Sequence, residues 1–275
     1  MGSPCELLCE ARSARDAEKL AALVAAEAWR IQDKLSRYID GNIIHQINSA
    51  NGEPVEVDGE TAQLLDFAGT LYSISDAAFD ITSGVLRRAW TFDGSDNIPV
   101  AKDVEALLSL VGWDKVDWQS PQLTMPAAME IDLGGIGKEY AVDRAIGILR
   151  SVGDTPCLVN FGGDLAVTGP PQLREAWTVG IEAVDLSGAA KLIELRHGAL
   201  ATSGDVRRFL MKDGVRYGHV INPRSGWPVE EAASSITVAA DTCTQAGMLS
   251  TLAMLKGAFA ERFLDSQSEQ YWCRR

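Results

Sequence analysis

The chain has 275 residues, 46% of them hydrophobic, with 38 acidic against 25 basic side chains and a formal net charge of −13. That length and apolar content suit a folded protein with a substantial core and exclude a disordered one. The acidic balance excludes general nucleic-acid binding, which needs a basic footprint. No apolar run reaches the ~20 residues of a membrane-spanning helix, so stable membrane insertion is not expected.

The opening MGSPCELLCEARSARDAEKL has no basic region followed by a long apolar stretch, so the expected compartment is the cytoplasm. A leader removed ahead of this sequence would place the protein in the periplasm instead. Cys5, Cys9, Cys157, Cys243 and Cys273 are odd in number and sparsely spaced, which argues against a disulfide framework. Cys5 and Cys9 read as small buried hydrophobes.

Residues 5–11 read as a strand. Ser13 and Asp16 form a capping-box pattern, and Leu20, Val24, Ala28, Ile31, Leu35 and Ile39 recur at helical spacing, which predicts a helix over 14–39. A second helix is predicted from about 58 to 74, with Leu64, Phe67, Leu71 and Ile74 on one face. The stretch AAFDITSGVLRRAW is irregular. Residues 103–111 read as helix, and 116–118 and 123–125 as short strands around the turn SPQ. A helix follows Gly137 and ends at Gly153. The second half is β-rich, with strands at 157–160, 164–168, 177–183, 191–196 and 234–240. A hairpin of 206–212 and 215–221 turns at Asp213-Gly214. A last helix runs from 243 to 256. Helices and strands mix without regular alternation, which predicts an α+β fold with antiparallel sheet in the second half.

The stretch EIDLGGIGKEYAVDRA (130–145) joins an acid, Asp132, to bare backbone at Gly134, Gly135 and Gly137, a lysine, Lys138, and the start of a helix. Two readings stand. One is an anion site, where glycines admit backbone N–H groups and the helix N-terminus and Lys138 favour negative charge. The other is a tight turn with a solvated lysine. Four more polar segments read as loops: AFDITSG (78–84), NFGGDL (160–165), ATSGD (201–205) and GHVINPRSGWP (218–228). Binding groups often sit on such loops. Of the histidines, His219 stands out, beside Asn222-Pro223 and Ser225-Gly226; its ordinary pKa suits acid–base work near neutral pH.

The ordered set of SRY at 36–38, FDIT at 79–82, IDLGGIGKEYAVD at 131–143, NFGGD, ATSGD, HVINPRSG and CTQAGMLST at 243–251 resembles the ApbE-type flavin transferases over nearly the whole chain. The resemblance implies a single ApbE-like domain over 1–275. It would be an α+β, T-fold-like mixed domain of antiparallel sheet and packed helices, with FAD in a central cleft. It implies an FAD:protein FMN transferase, which cleaves FAD, attaches FMN through a phosphoester to a Thr or Ser of an acceptor protein, and releases AMP. By motif, Met1, Tyr38, Ala78, Phe79, Asp80, Asp132, Lys138 and Ile221 would contact FAD. Asp132 would hydrogen-bond a neutral part of the nucleotide, and His219 would be the general base. Mg²⁺ would be held by the Gly135 carbonyl and Thr251. The family's helix carries an aspartate one turn before that threonine, and here the position is Gly247, which offers no carboxylate. The alternatives are therefore a flavin-binding protein with little catalysis and an FAD pyrophosphatase.

Overall fold

The computed structural model describes residues 3–181, 191–204 and 208–275. Strand β1 (Cys5–Cys9) leads into α1 (Ala14–Leu35), α2 (Ile43–Ser49), β2 (Val55–Glu56) and α3 (Gly59–Ile74). A 3-10 helix spans Ile81–Arg88, then come α4 (Ala101–Leu108), β3 (Asp117–Gln119), β4 (Gln122–Thr124) and α5 (Gly137–Val152). The second half holds β5 (Cys157–Phe161), β6 (Asp164–Val167), β7 (Trp177–Ile181), β8 (Lys191–Leu195), β9 (Ala199–Gly204), β10 (Phe209–Lys212), β11 (Val215–Gly218) and β12 (Ser235–Ala240). The chain closes with α6 (Cys243–Leu255), α7 (Ala260–Asp265) and β13 (Gln270–Arg274).

The central sheet is antiparallel throughout, in the order β1-β5-β6-β9-β12-β13. Its strands are apolar on both faces, as a sheet covered on both sides requires. Cys157, Val159 and Phe161 of β5 and Ala199 and Ala201 of β9 belong to the core that includes α1, α5 and α6. The alternate residues Leu158, Leu165, Val167 and Leu200 pack instead with Trp177, Ile181, Ile193 and Leu195 of the β7–β8 hairpin. Each such side chain contributes about 1.5–3 kcal/mol by burial. A third cluster joins Val85, Leu86 and Trp90 to Val104 of α4 and Leu210 of β10. It fixes the β10–β11 hairpin against the 3-10 helix.

The α+β expectation holds, with differences in detail. Helix α1 stops at Leu35 rather than 39, because Ser36 turns extended and the Asn42 amide donates to the Ser36 carbonyl at 2.7 Å. The same Asn42 caps α2, accepting from His45 N–H at 2.8 Å, so helical spacing through Ile39 concealed a break and a new helix. ATSGD is no loop: residues 199–204 are an inner strand, and Asp205 lies outside the described residues, as do 182–183 and 206–207 of two predicted strands. The chain end, which gave no periodic signal, supplies the edge strand β13. All five cysteines are free. Cys157 and Cys243 are buried, whereas Cys5 is exposed and Cys9 half-buried, contrary to expectation, because β1 is the other edge of the sheet.

Two polar devices set the helices. Glu60 of α3 accepts from Arg30 and Lys34 of α1 and from Tyr140 of α5 (2.6–2.8 Å). Asp143 of α5 accepts from the Cys243 and Thr244 N–H groups, both at 2.8 Å, capping the start of α6 from a neighbouring helix. A carboxylate at a helix N-terminus gains from both hydrogen bonds and the helix dipole. Asp143→Ala is expected to lower the unfolding free energy by about 2 kcal/mol, read from the urea midpoint; an unchanged midpoint would show that the α5–α6 cap contributes nothing.

Candidate functional site

The segments FDITSG and IDLGG lie directly against one another. Asp132 N–H donates to the Ile81 carbonyl at 2.8 Å. Gly84 has no room for a side chain: a Cβ there would meet Asp132 Cβ at 2.8 Å and Arg37 Nη1 at 3.2 Å. Further along, Phe79 packs on Gly135, its ring 3.4 Å from where a Cβ would stand. Asp80 is buried and spent internally. One oxygen accepts from Thr82 N–H (2.8 Å) and hydroxyl (2.6 Å), and the other from Trp113 N–H (3.1 Å). Burial pushes its pKa up, with those hydrogen bonds opposing the shift. Its side chain thus sets the loop, and Ala78 is half-buried at the turn before it.

Asp132 uses one oxygen to accept from Gly134 N–H at 2.8 Å. The other faces Arg37 at 3.6 Å and Arg87 at 3.7 Å. Arg37 also donates to the Gly84 carbonyl (2.9 Å) and lies over the Tyr38 ring, 5.3 Å from its centre. Tyr38 is 74% exposed, and its hydroxyl is 3.4 Å from Arg87 Nη1. The break after α1 thus has a consequence: it presents an open aromatic face beside two guanidinium groups.

His219 follows β11. Its ring meets Phe92 edge-on at 6.4 Å, and its Nδ1 is buried without a hydrogen-bond partner. Burial, with the charges of Arg208 and Arg87, lowers its pKa to about 4. The ring is therefore neutral at pH 7, with a free nitrogen. The turn that follows is tied in place: Trp90 Nε1 donates to the Gly226 carbonyl at 2.8 Å, and Arg224 donates to the Asp76 carbonyl beside Ala78. Ile221 bridges to Pro228 and packs in the third core cluster.

Lys138 differs from expectation. It is not a free cation for a bound anion, since it forms an ion pair with Asp164, which is 1% exposed. Burial opposes its charge, but Asp164 and Glu139 outweigh that and hold its pKa above the usual lysine value. Asp164 reaches this place through the NFGGD hairpin, where Gly162 and Gly163 take positive φ. Its other oxygen accepts from Thr202 N–H at 3.0 Å. Glu139 lies beside it, 7% exposed, with Oε2 unpartnered. Burial raises both carboxyls, and for Glu139, where the Asp164 charge adds to burial, to about 7. The position at Gly247 is also filled: a Cβ there would stand 2.5 Å from Glu139 Cγ and 3.0 Å from its Oε1. Gly247 itself offers no carboxylate, and the Glu139 side chain from α5 occupies the space beside it. On α6, Thr251 and Ser250 each share a 2.9 Å hydrogen bond with Ser203 of β9.

The structure thus gathers Tyr38, Asp132 and His219 around Arg37 and Arg87, sets Phe79 on Gly135, and brings Lys138, Glu139 and Asp164 together beside α6, which carries Thr251. Met1 lies outside the described residues. The arginines and Glu139 escaped sequence reading. Arg37 stands inside SRY and Glu139 inside GKEY, but only folding brings them to their partners. Among the described residues, no three His, Cys, Asp or Glu side chains cluster as a metal site.

An exposed ring over paired guanidinium groups, next to a helix N-terminus on an α+β scaffold, suits a ligand aromatic at one end and anionic at another. Residues 1–272 match the model of the ApbE family. The FAD:protein FMN transferase of Klebsiella pneumoniae (strain 342) is 30% identical over 246 residues, covering 86% of this chain and 74% of that one. The enzyme of the same name from Vibrio cholerae serotype O1 is 29% identical over 234 residues, covering 82% and 70%. The crystal structure of the ApbE protein from Thermotoga maritima superposes with a TM-score of 0.89 at 29% identity, covering 99% and 91%. That of the Pseudomonas stutzeri flavinyl transferase ApbE in its apo form gives 0.84 at 26% identity, covering 98% and 91%. The chain belongs to the ApbE family.

His219 carries a pH signature. Its folded pKa of about 4 lies below the ordinary histidine value of 6.5. Between those values the unfolded chain binds a proton that the native state refuses, so its contribution lowers stability as pH falls from 6.5 toward 4 and then levels off. His219→Gln is expected to flatten that part of the stability profile, measured by thermal unfolding from pH 7 to pH 4; an unchanged slope would show that His219 titrates normally.

Proposed function

We propose that this chain is an FAD:protein FMN transferase, passing FMN from FAD to a Thr or Ser hydroxyl of an acceptor protein. The observation that carries this reading is the convergence of Tyr38, Arg37, Arg87 and His219 at the glycine junction, in a chain of this family. Tyr38 offers a face to an aromatic ring. The guanidinium groups and the start of α5 favour the pyrophosphate. Asp132 keeps both arginines oriented.

The acceptor hydroxyl oxygen attacks the FMN-side phosphorus, the bond to the bridging oxygen breaks, and AMP leaves. The hydroxyl proton passes to the free nitrogen of His219. Before substrate binds, that nitrogen is a weak base, depressed by burial and the charges of Arg208 and Arg87. A pyrophosphate beside Arg87 cancels part of that residue's field, so substrate binding itself raises the basicity of His219. Phosphoryl transfer otherwise needs positioning and charge neutralisation. Mg²⁺, when bound, supplies further neutralisation of the phosphate oxygens. The residues present fit it: the orphaned, buried Glu139 Oε2 lies behind the junction, and Thr251 and the Gly135 carbonyl would hold the ion.

The deciding assay incubates the protein with FAD, Mg²⁺ and a Thr/Ser acceptor protein. AMP with a flavin-labelled acceptor is expected; AMP with free FMN would mean a pyrophosphatase, and neither product a binding protein. His219→Ala is expected to slow transfer by roughly 10²–10⁴-fold with FAD affinity nearly unchanged. Full turnover in that variant would remove His219 from proton transfer.

Arg87→Ala is expected to weaken FAD binding by roughly 10-fold, followed by flavin fluorescence, and to raise the His219 pKa by removing one opposing charge. Unaltered affinity for FAD would place the pyrophosphate elsewhere.

A further inference from the structure

The geometry points to Glu139 as the carboxylate of a divalent-cation seat shared between α5 and α6, with Gly247 as the gap that admits it and Thr251 as its hydroxyl neighbour. This rests on the transferase reading for its role, but not for its chemistry. The first observation is steric. Gly247 is inside α6, where glycine costs about 1 kcal/mol relative to alanine. Any side chain there would collide with Glu139, whose Cγ is 2.5 Å from the Cβ position. The glycine therefore keeps space for a side chain from the other helix.

The second observation is electrostatic. Glu139 is 7% exposed and its Oε2 has no hydrogen-bond partner. An unpartnered buried carboxylate is costly unless a cation joins it. The ammonium of Lys138 is drawn to the neighbouring Asp164, with which it pairs. Asp143 is committed to the Cys243 and Thr244 N–H groups. Two carboxylates, Glu139 and Asp164, thus stand against one nearby ammonium.

The third observation is the surrounding oxygen supply. Thr251 lies one helical turn beyond Gly247, its hydroxyl oriented by Ser203 at 2.9 Å. The α5 ladder begins with Tyr140 N–H on the Ile136 carbonyl, so the Gly135 carbonyl precedes it. A carboxylate, a hydroxyl and a carbonyl are oxygen donors of the kind that hard divalent cations take. The ion's place is then the rear of the glycine junction, whose front carries Asp132 and its arginines.

The test uses the full-length chain and Mn²⁺, followed by the electron paramagnetic resonance of the free ion, with and without FAD. One Mn²⁺ per chain, displaced by Mg²⁺, is expected. Glu139→Gln, which keeps shape and removes charge, is expected to weaken it roughly 10- to 100-fold while FAD affinity without metal stays the same. Gly247→Asp alone is expected to lower the melting temperature through the collision. Glu139→Gly combined with Gly247→Asp, which returns the carboxylate to α6, is expected to restore Mn²⁺ binding to within a few-fold. Absence of bound Mn²⁺ in wild type, equal binding by Glu139→Gln, or a folded double variant that binds no better than Glu139→Gln would each overturn the seat. Equal binding with a raised melting temperature in Glu139→Gln would assign Glu139 and Asp164 to a shared proton instead. Glu139-dependent Mn²⁺ binding without AMP release would leave the seat standing and defeat the transferase reading. AMP release and labelling without such binding would do the reverse.

Discussion

The backbone contact between residues 79–84 and 131–135 organises the rest of the site. Asp132 N–H bonds the Ile81 carbonyl, and Gly84 lies so close to Asp132 that no Cβ fits between them. Because the two segments touch, Arg37 reaches the Gly84 carbonyl and both Arg37 and Arg87 face one carboxylate. Phe79 then covers Gly135, two residues before α5 begins at Gly137. A larger residue at position 84 would push apart the cation pair, the aromatic face and the glycine junction together.

Cations and anions are divided between the two sides of that junction. In front, Arg37 and Arg87 face Asp132 while Arg37 and Arg88 face Glu130, three guanidinium groups against two carboxylates, which leaves one positive charge in excess for an anionic ligand. Behind, Lys138 pairs with Asp164, and burial with the Asp164 charge raises the neighbouring Glu139 to about 7. A lysine read in isolation as an anion binder is thereby tied to the acidic side. These groups are partly or wholly buried, so their fields are less screened than those of surface pairs. The overall charge of −13 says nothing about this division, since it sums over a surface remote from it.

The helices hold this geometry through polar contacts that contribute more to orientation than to stability. Burial of the sheet's two faces supplies most of the folding energy, at about 1.5–3 kcal/mol per large side chain. The Glu60 group on α3 and the Asp143 cap on α6 fix how α1, α5 and α6 lie on that sheet. A small shift of α6 against α5 would close or widen the space at Gly247, which makes the cap a determinant of the rear of the site.

Local pattern determined a good deal by itself. Helix α3, the start of α1, the junction into α5, the β10–β11 turn and most strands were legible, because hydrophobic period, capping residues and turn glycines act over a few residues. The ordered motifs likewise pointed to the family. What local pattern could not reach depended on distant partners. Asn42 ends α1 by holding the Ser36 carbonyl; ATSG becomes strand because β12 pairs with it; the chain end becomes a strand because β12 offers an open edge. The same holds in the site. Glu139 looks like an ordinary helical acid and Gly247 like a lost ligand until α5 and α6 pack, when one fills the space the other leaves. Sequence spacing fixes which residues share an element, whereas charge pairing and steric exclusion across elements exist only once the chain has brought them within a few ångströms.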